Sequence, residues 1–405
     1  MGRGMPASGA EITKRVIPAD LPIRRGGIAQ GLVPAICDVS VTNSCNATCT
    51  FCSYAHDKGI VTDRKWIDAD KFAEAMPILY ERGVRYVNFQ GGEPLLHPAI
   101  ANLTAAVREA NMQPAMITNG WLLPDKIQGI IDAGLATLLV SLDADTVEKH
   151  EKNRGLKGLC ERIRKGVAIA KDNGVTTITV VTVNHLVNFE NLPNLLKDLG
   201  FDAVSFSYPR KEPFGSSSLV YSPDSELVDF TPDQLIAAMD SIKRLKKEFP
   251  VMNPTGALED VQRYARNEPQ LIGCVGGHKY FYLDWNLQIW RCEAWHEPMG
   301  SVFDLNKIPD YRDRCTACIQ NCYRDTSTLM HAGVQVADAA DDAAKGRLLK
   351  AAGHIFQRSV AKSLKSVVEE AGVIRKLARS GSKPRRAIEV MPAAPKKKPW
   401  ANAAE

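Results

Sequence analysis

The chain has 405 residues, 45% hydrophobic and 24% charged, which are ordinary globular proportions and enough for about two or three domains. There is no apolar signal segment and no run of about 18 apolar residues that could span a membrane. We therefore expect a cytoplasmic protein whose ten cysteines serve as thiols or metal ligands rather than disulfides. The net charge of +5 comes from residues 341–405, which carry 15 Lys/Arg and 6 Asp/Glu. The rest of the chain is acidic, so no nucleic-acid partner is expected.

Residues 36–210 alternate about six times between apolar segments with strand character and amphipathic segments with helical spacing. The predicted strands are residues 36–42, 84–90, 113–118, 136–143, 175–183 and 202–208, and the predicted helices are residues 68–83, 98–111, 124–133, 158–173 and 190–199. This alternation predicts an α/β domain with a parallel sheet. Six units form an incomplete TIM barrel, (β/α)6, with its site at the C-terminal ends of the strands.

Residues 211–330 are predicted to form a linker, two helices at 232–248 and 257–267, a β-hairpin that turns at Asp284–Asn286, and a small cysteine-rich domain. Residues 331–380 have amphipathic helical spacing. Their apolar positions include Leu349, Phe356, Val360, Leu364, Val367, Ala371 and Ile374. A helix docked on the body is the favoured interpretation, and a basic helix peripheral to the inner face of a membrane, within 341–405, is the alternative. Residues 1–35 are an N-terminal extension, and residues 381–405 are expected to be a disordered basic tail.

Three cysteines, Cys45, Cys49 and Cys52, form a C-x3-C-x2-C segment directly after the first predicted strand. A structural zinc site takes four ligands, whereas three thiolates would leave one iron of a [4Fe–4S] cube open to an outside molecule. The alternatives are a zinc loop that borrows a distant ligand and three buried thiols.

This segment resembles the radical S-adenosylmethionine (SAM) superfamily, and the resemblance extends over roughly residues 37–208. It implies a [4Fe–4S] cluster on the three cysteines, bound SAM, and an external reductant such as flavodoxin or ferredoxin. The segments "GGEP", "TNG", "SLD" and "HEKNRG" match the family's strand-end motifs. The resemblance implies SAM contacts from Phe51, Gly91, Gly92, Glu93, Thr118, Asn119, Ser141, Asp143 and Arg154. It also implies reductive cleavage of SAM to a 5′-deoxyadenosyl radical.

A second cysteine group is spread over the predicted hairpin and the loop after it. Its members are Cys274, Cys292, Cys315, Cys318 and Cys322. Five thiols suffice for a second [4Fe–4S] cluster with one to spare, and the arrangement resembles the SPASM and Twitch auxiliary-cluster domains, with a single cluster as in Twitch. A four-cysteine zinc ribbon is the alternative.

The segment "RCTACIQNCYRDTSTLMHAG" is similar to the end of hopanoid-modifying radical SAM enzymes. That resemblance implies a small or lipid-like, polyprenoid substrate and adenosyl transfer. Hydrogen abstraction, with oxidation or modification of a sugar alcohol or a peptide, is the alternative within the class. Outside it, the alternative is a non-catalytic Fe–S or zinc protein for electron transfer or assembly.

Overall fold

The structure is a computed structural model that describes residues 33–56, 63–209 and 225–379. The predicted disordered tail at 381–405 lies outside the described residues, and so does the predicted extension at 1–35 apart from its last three positions.

The first half of the described chain alternates strands and helices as predicted. Its strands are β1 (Ala35–Ser40), β2 (Val84–Gln90), β3 (Gln113–Thr118), β4 (Thr137–Leu142), β5 (Thr176–Thr182) and β6 (Ala203–Ser207). Its helices are α1 (Ser53–His56), α2 (Ala69–Glu81), α3 (Ile100–Glu109), α4 (Leu123–Asp132), α5 (Val147–Arg154), α6 (Leu159–Asp172) and α7 (Leu192–Asp198). Neither α1 nor α5 was predicted, and α5 carries the "HEKNRG" segment.

The second half begins with two helices, continues with a hairpin and ends in three helices. These elements are α8 (Pro232–Leu245), α9 (Thr255–Ala265), β7 (Tyr280–Leu283), β8 (Gln288–Trp290), β9 (Gly300–Ser301), α10 (Asn321–Ala344), α11 (Leu348–Ile355) and α12 (Arg358–Arg379). Short 3-10 turns lie at Pro94–Leu96, Glu226–Val228 and Val302–Lys307.

The nine strands in the described part of the chain belong to one sheet in the order β6-β5-β4-β3-β2-β1-β7-β8-β9. Strands β1 to β6 are parallel, which confirms the predicted incomplete barrel. Strand β7 pairs in parallel with β1, and β8 turns back against β7. The predicted hairpin therefore extends the barrel sheet instead of forming a sheet of its own. The predicted boundary at residue 211 lies outside the described residues and stays a prediction.

The main core lies between the sheet and its covering helices. Phe72 of α2 packs on Phe89 of β2 with ring centroids 5.8 Å apart. On β1, Cys37 and Val39 are fully buried in this core. Because successive side chains of a strand point to opposite faces, Asp38 lies on the inner face of the barrel, where Asn88 donates a hydrogen bond to it.

The first turn of α10 crosses the open side of the barrel. Ser207 of β6 donates a hydrogen bond to the Asn321 side-chain oxygen, 3.1 Å, and the ring of Tyr323 lies 4.4 Å from that of Tyr280 in β7. The prediction of a loop around Cys322 was wrong, because α10 begins at Asn321. These contacts join the last barrel strand to the hairpin.

The last helix, α12, packs against α9 and α10, in agreement with the docked-helix interpretation. Lys362 of α12 pairs with Asp260 of α9 at 2.8 Å. The predicted apolar stripe nevertheless faces largely away from the body, since Leu349 is 93% and Phe356 is 87% exposed. No helix within residues 33–56, 63–209 and 225–379 has both the length and the apolar content needed to cross a membrane.

Candidate active site at the ends of the strands

The three-cysteine loop follows β1 at the mouth of the barrel. Cys49 is buried, and Cys45 and Cys52 are half-buried. Burial, reinforced by the neighbouring Cys45, raises the pKa of Cys52 to about 12. Burial also holds the pKa of Cys49 well above its usual value. Three thiols gathered in a water-poor loop are costly as free thiolates, so this loop suits a positively charged metal centre that stabilises all three.

The two glycines of "GGEP" hold the end of β2 against this loop. The backbone N–H of Gly92 donates to the Thr42 carbonyl, 2.8 Å, and that of Glu93 to the Ser44 carbonyl, 2.7 Å. A Cβ on Gly92 would lie 2.1 Å from the Ser44 oxygen, and Gly91 has φ +127°. Glycine is therefore required for this close backbone approach.

Glu93 joins two of the predicted motifs through its fully buried carboxylate. It accepts hydrogen bonds from the Thr118 hydroxyl, 2.6 Å, and from the Asn119 backbone N–H, 2.7 Å. Burial raises the pKa of Glu93, and these hydrogen bonds oppose the shift. The Asn119 side chain in turn donates to the Asn46 side chain of the cysteine loop, 2.7 Å.

Helix α5 anchors the other side of the cysteine loop. Arg154 forms a bidentate ion pair with Asp143, with contacts of 2.7 and 2.6 Å. Burial would raise the pKa of Asp143, but the Arg154 guanidinium outweighs it and holds that pKa below the usual range. The Thr48 N–H donates to the Arg154 carbonyl, 2.9 Å, and the Thr50 hydroxyl donates to Asn153, 2.7 Å.

The remaining predicted SAM contacts lie on the same rim. Phe51 is buried with Ala47 and Val228 beside the cysteines. Ser141 is half-buried near the end of β4. Thr50 and Asn153 were not among the predicted site residues, although Asn153 lies inside "HEKNRG". Their contact joins segments 103 residues apart, which no local pattern reveals.

Four cysteines of the second group line one pocket. They are Cys274, Cys292, Cys315 and Cys318. Burial, and then the charges of Cys318 and Cys274, hold the pKa of Cys292 well above its usual value. Cys322 lies outside that lining, in the first turn of α10 beside Gln320. It nevertheless packs with Cys274 and Cys292 around Val275, Tyr280 and Tyr323.

No group of three or more His, Cys, Asp and Glu side chains in the described part of the chain is arranged to hold a metal ion as it stands. The assignment of the two cysteine groups as cluster ligands therefore stays a prediction.

Comparison with known families matches residues 39–199 to the Radical SAM superfamily. The chain is 30% identical over 151 residues to the GTP 3',8-cyclase of Helicobacter pylori strain J99, which covers 36% of this chain and 47% of that protein. It is 29% identical over 178 residues to a probable GTP 3',8-cyclase of Methanopyrus kandleri, which covers 44% and 56%. The chain thus spans about half the length of these relatives.

Among solved structures, Streptococcus suis SuiB bound to S-adenosylmethionine superposes with a TM-score of 0.52 at 16% identity, covering 68% of this chain and 65% of that one. This likeness confirms the fold. The matched superfamily consists of enzymes that use a [4Fe–4S] cluster and SAM, so the predicted enzyme class and these cofactors are confirmed at that level. None of the three names refers to a hopanoid, and the hopanoid resemblance has no support from them.

Proposed function

Because residues 39–199 form a radical SAM domain, we propose that this protein is a radical SAM enzyme acting on a small molecule. Cys45, Cys49 and Cys52 would hold its [4Fe–4S] cluster. The observation that supports this most is the gathering of three thiols, one buried and two half-buried, in one loop at the barrel mouth, held in place by two strand-end motifs and α5. When bound, the cluster and SAM supply a carbon-centred radical, which is the part of the chemistry a protein side chain cannot provide.

The chain's own residues bind and orient these groups. Three cysteine thiolates leave one position for a ligand that the protein does not supply. The backbone at Gly91–Gly92 and the segment at Thr118–Asn119 border the loop and are the surfaces proposed for SAM. Glu93 and Asp143 are each held by several hydrogen bonds, so they fix the relative position of these surfaces without rearrangement.

Apolar side chains beside the thiols would keep water away from the reaction. Phe51, Ala47 and Val228 form a small buried cluster against the cysteines. Excluding water protects a reactive intermediate from side reactions.

We further propose that Cys274, Cys292, Cys315 and Cys318 hold a second [4Fe–4S] cluster, with a zinc ion as the alternative. Four protein thiolates complete the ligation of such a cluster and leave no position on it for substrate. Its proposed roles are therefore electron transfer or support of the fold, with a flavodoxin or ferredoxin as the external electron donor.

We also propose contact with an anionic membrane surface through α11 and α12. The exposed large apolar side chains of these helices and of the turn between them are Leu348, Leu349, Phe356, Leu364, Val367, Val368 and Ile374. Lys365, Arg375 and Lys376 are exposed on α12, as are the last four of these apolar side chains. An apolar strip bordered by basic side chains is complementary to the negative surface of anionic lipids.

The deciding experiment is SAM cleavage by protein whose clusters have been reconstituted without oxygen and reduced with dithionite. Wild type should form 5′-deoxyadenosine, and Cys49→Ala should form none because one iron ligand is gone. Cys160→Ala is the matched control, since Cys160 is equally buried but lies in α6. Iron-loaded wild type that forms no 5′-deoxyadenosine would instead support a non-catalytic Fe–S protein.

A further inference from the structure

A cluster of polar side chains lies on the inner face of the barrel where β1, β2 and β7 run side by side. Asp38 of β1 is 2% exposed. Its carboxylate accepts hydrogen bonds from the Asn88 amide and the Tyr280 hydroxyl, each at 2.8 Å. Both donors are uncharged, so the negative charge of an ionised Asp38 is not neutralised by them.

A second buried carboxylate completes this polar cluster. Glu293 is 1% exposed and accepts hydrogen bonds from Gln90, 2.6 Å, and Gln320, 2.9 Å. Gln90 is half-buried and immediately precedes Gly91 of the "GGEP" segment. The polar cluster therefore adjoins the surface proposed for SAM, because Gln90 and Gly91 are neighbours in the chain.

Three further polar groups next to these carboxylates have no hydrogen-bond partner. They are the Ser40 hydroxyl, the Gln320 side-chain oxygen and the Tyr323 hydroxyl, all in side chains at most 6% exposed. Ser40 lies two residues beyond Asp38 on the same face of β1. Tyr323 packs on Tyr280, which donates to Asp38, and Tyr323 and Gln320 also line the pocket of the four cysteines. Buried polar groups are almost always hydrogen-bonded, so these three are suited to a bound ligand.

We propose that the polar cluster of Asp38, Glu293, Ser40, Gln320 and Tyr323 binds a protonated amine of the substrate. The inference rests on the proposed function, because it places the amine beside the SAM surface of the same barrel. Two carboxylates and an amide oxygen accept hydrogen bonds, and an ammonium group offers three donors and no acceptor. A polyprenoid chain offers no donor and would leave these buried groups unsatisfied.

The position of Cys322 agrees with this assignment. Its thiol lies beside Gln320, and the charges of Glu293 and Asp38 contribute to raising its pKa. Cys322 therefore borders the polar cluster, of which Gln320 and Tyr323 also line the pocket of the other four cysteines.

The test compares n-butylamine with n-butanol, two probes of equal length that differ in charge at pH 7. Binding to the reconstituted full chain with SAM is followed by ligand-observed NMR. Butylamine should bind wild type more tightly than butanol does. Asp38→Asn should weaken butylamine at least about tenfold, the loss expected for one charge-assisted hydrogen bond, and leave butanol unchanged. Glu370→Gln, which replaces a buried carboxyl group in α12, is the control and should bind both probes like wild type.

Glu293→Gln is the second variant, scored only if its iron content equals that of wild type, because Glu293 follows Cys292. Equal affinity of wild type for the two probes, or an unchanged butylamine affinity in both variants, overturns the inference. Formation of 5′-deoxyadenosine by the same wild-type preparation is measured separately. If SAM is cleaved but butylamine binds no better than butanol, only the amine site is wrong. If SAM is not cleaved, the proposed function is wrong.

Discussion

At the scale of single residues, the strand-end carboxylates Glu93 and Asp143 hold neighbouring segments together through hydrogen bonds. Each was predicted as a SAM contact from its motif, and each is held by groups of the chain itself, Thr118 and Asn119 in one case and Arg154 in the other. A motif can reveal which residues gather at a site, because spacing after a strand is local information. Which partner a side chain takes depends on segments remote in the sequence.

Gly92→Ala should disturb the cysteine loop. The added Cβ would lie 2.1 Å from the Ser44 carbonyl oxygen, and backbone cannot move aside without displacing Cys45. We expect reduced iron loading and a lower melting temperature. Gly129→Ala in α4 is the control, since nothing lies within 4 Å of its Cβ, and alanine should stabilise that helix by up to about 1 kcal/mol. Iron content and melting temperature equal to wild type in Gly92→Ala would contradict this account of the loop.

Substitutions at Cys318 and Cys322 should give proteins with different iron contents. Cys318→Ser should lose about one cluster of iron, because Cys318 lines the shared pocket. Cys322→Ser should keep the wild-type amount, because Cys322 lies outside it. Iron and zinc are measured together after anaerobic reconstitution. Loss of a cluster from Cys322→Ser would place that thiol among the ligands, and loss of zinc from Cys318→Ser would identify a zinc site.

At the scale of elements, α12 shows why an amphipathic pattern does not by itself say which face is buried. Its buried positions are Val360, Ser363, Ser366, Glu370 and Leu377, a largely polar set that fits against α9 and α10. The more apolar face, with Val368 at 74% exposure, is left on the surface. Ion pairs such as Lys362 with Asp260 fix this orientation, and the sequence pattern does not contain them.

The exposed strip of α11 and α12 predicts binding to anionic lipid. Replacing Leu349, Phe356 and Val368 together by Ser should abolish sedimentation with phosphatidylserine vesicles while leaving the fold intact, because all three side chains are mostly exposed. Leu271→Ser with Phe303→Ser, exposed apolar positions outside these helices, is the control and should bind like wild type. High salt should weaken wild-type binding. Equal sedimentation of the strip variant and the control would exclude the strip as a membrane contact.

At the scale of the whole molecule, the segment after the barrel is continuous with it. Strand β7 adds to β1, and α10 spans the gap between β6 and the hairpin through Asn321 and Tyr323. The two cysteine groups and the polar cluster thus lie around one continuous sheet. Substitutions in α10 and the helices behind it should consequently affect global stability.

The stability of the whole protein should depend on pH through the ionisation of Glu370. Burial raises its pKa from 4.5 to about 8, with help from the charge of Asp325, and its Oε2 has no hydrogen-bond partner. Because the folded-state pKa is raised, the contribution of Glu370 to stability is fully present below about pH 4.5 and is lost as the pH rises through 8. Glu370→Gln should therefore melt at a higher temperature than wild type at pH 8. The difference, about 1.4 kcal/mol for each unit of the pKa shift, should vanish near pH 4.5.

Glu369→Gln is the matched control for that measurement. Lys246 and Thr255 hold the Glu369 carboxylate and lower its pKa against the effect of burial. Its stabilisation is present above pH 4.5 and is lost on acidification, so Glu369→Gln should melt lower than wild type at pH 8. A lower melting temperature for Glu370→Gln at that pH would show that its carboxylate is ionised and stabilising.

The sequence by itself determined the alternating strands and helices, the incomplete barrel and the two cysteine groups, because hydrophobic period and residue spacing are properties of neighbours along the chain. It also pointed to the strand-end motifs through their resemblance to the radical SAM superfamily. Only the tertiary structure decided which four of the five cysteines line one pocket, with Cys322 in the first turn of α10. It alone placed Asp38 beside Glu293 and left the apolar face of α12 exposed. Those outcomes depend on contacts between segments far apart in the chain, where packing and hydrogen bonding choose among arrangements that the local patterns allow equally.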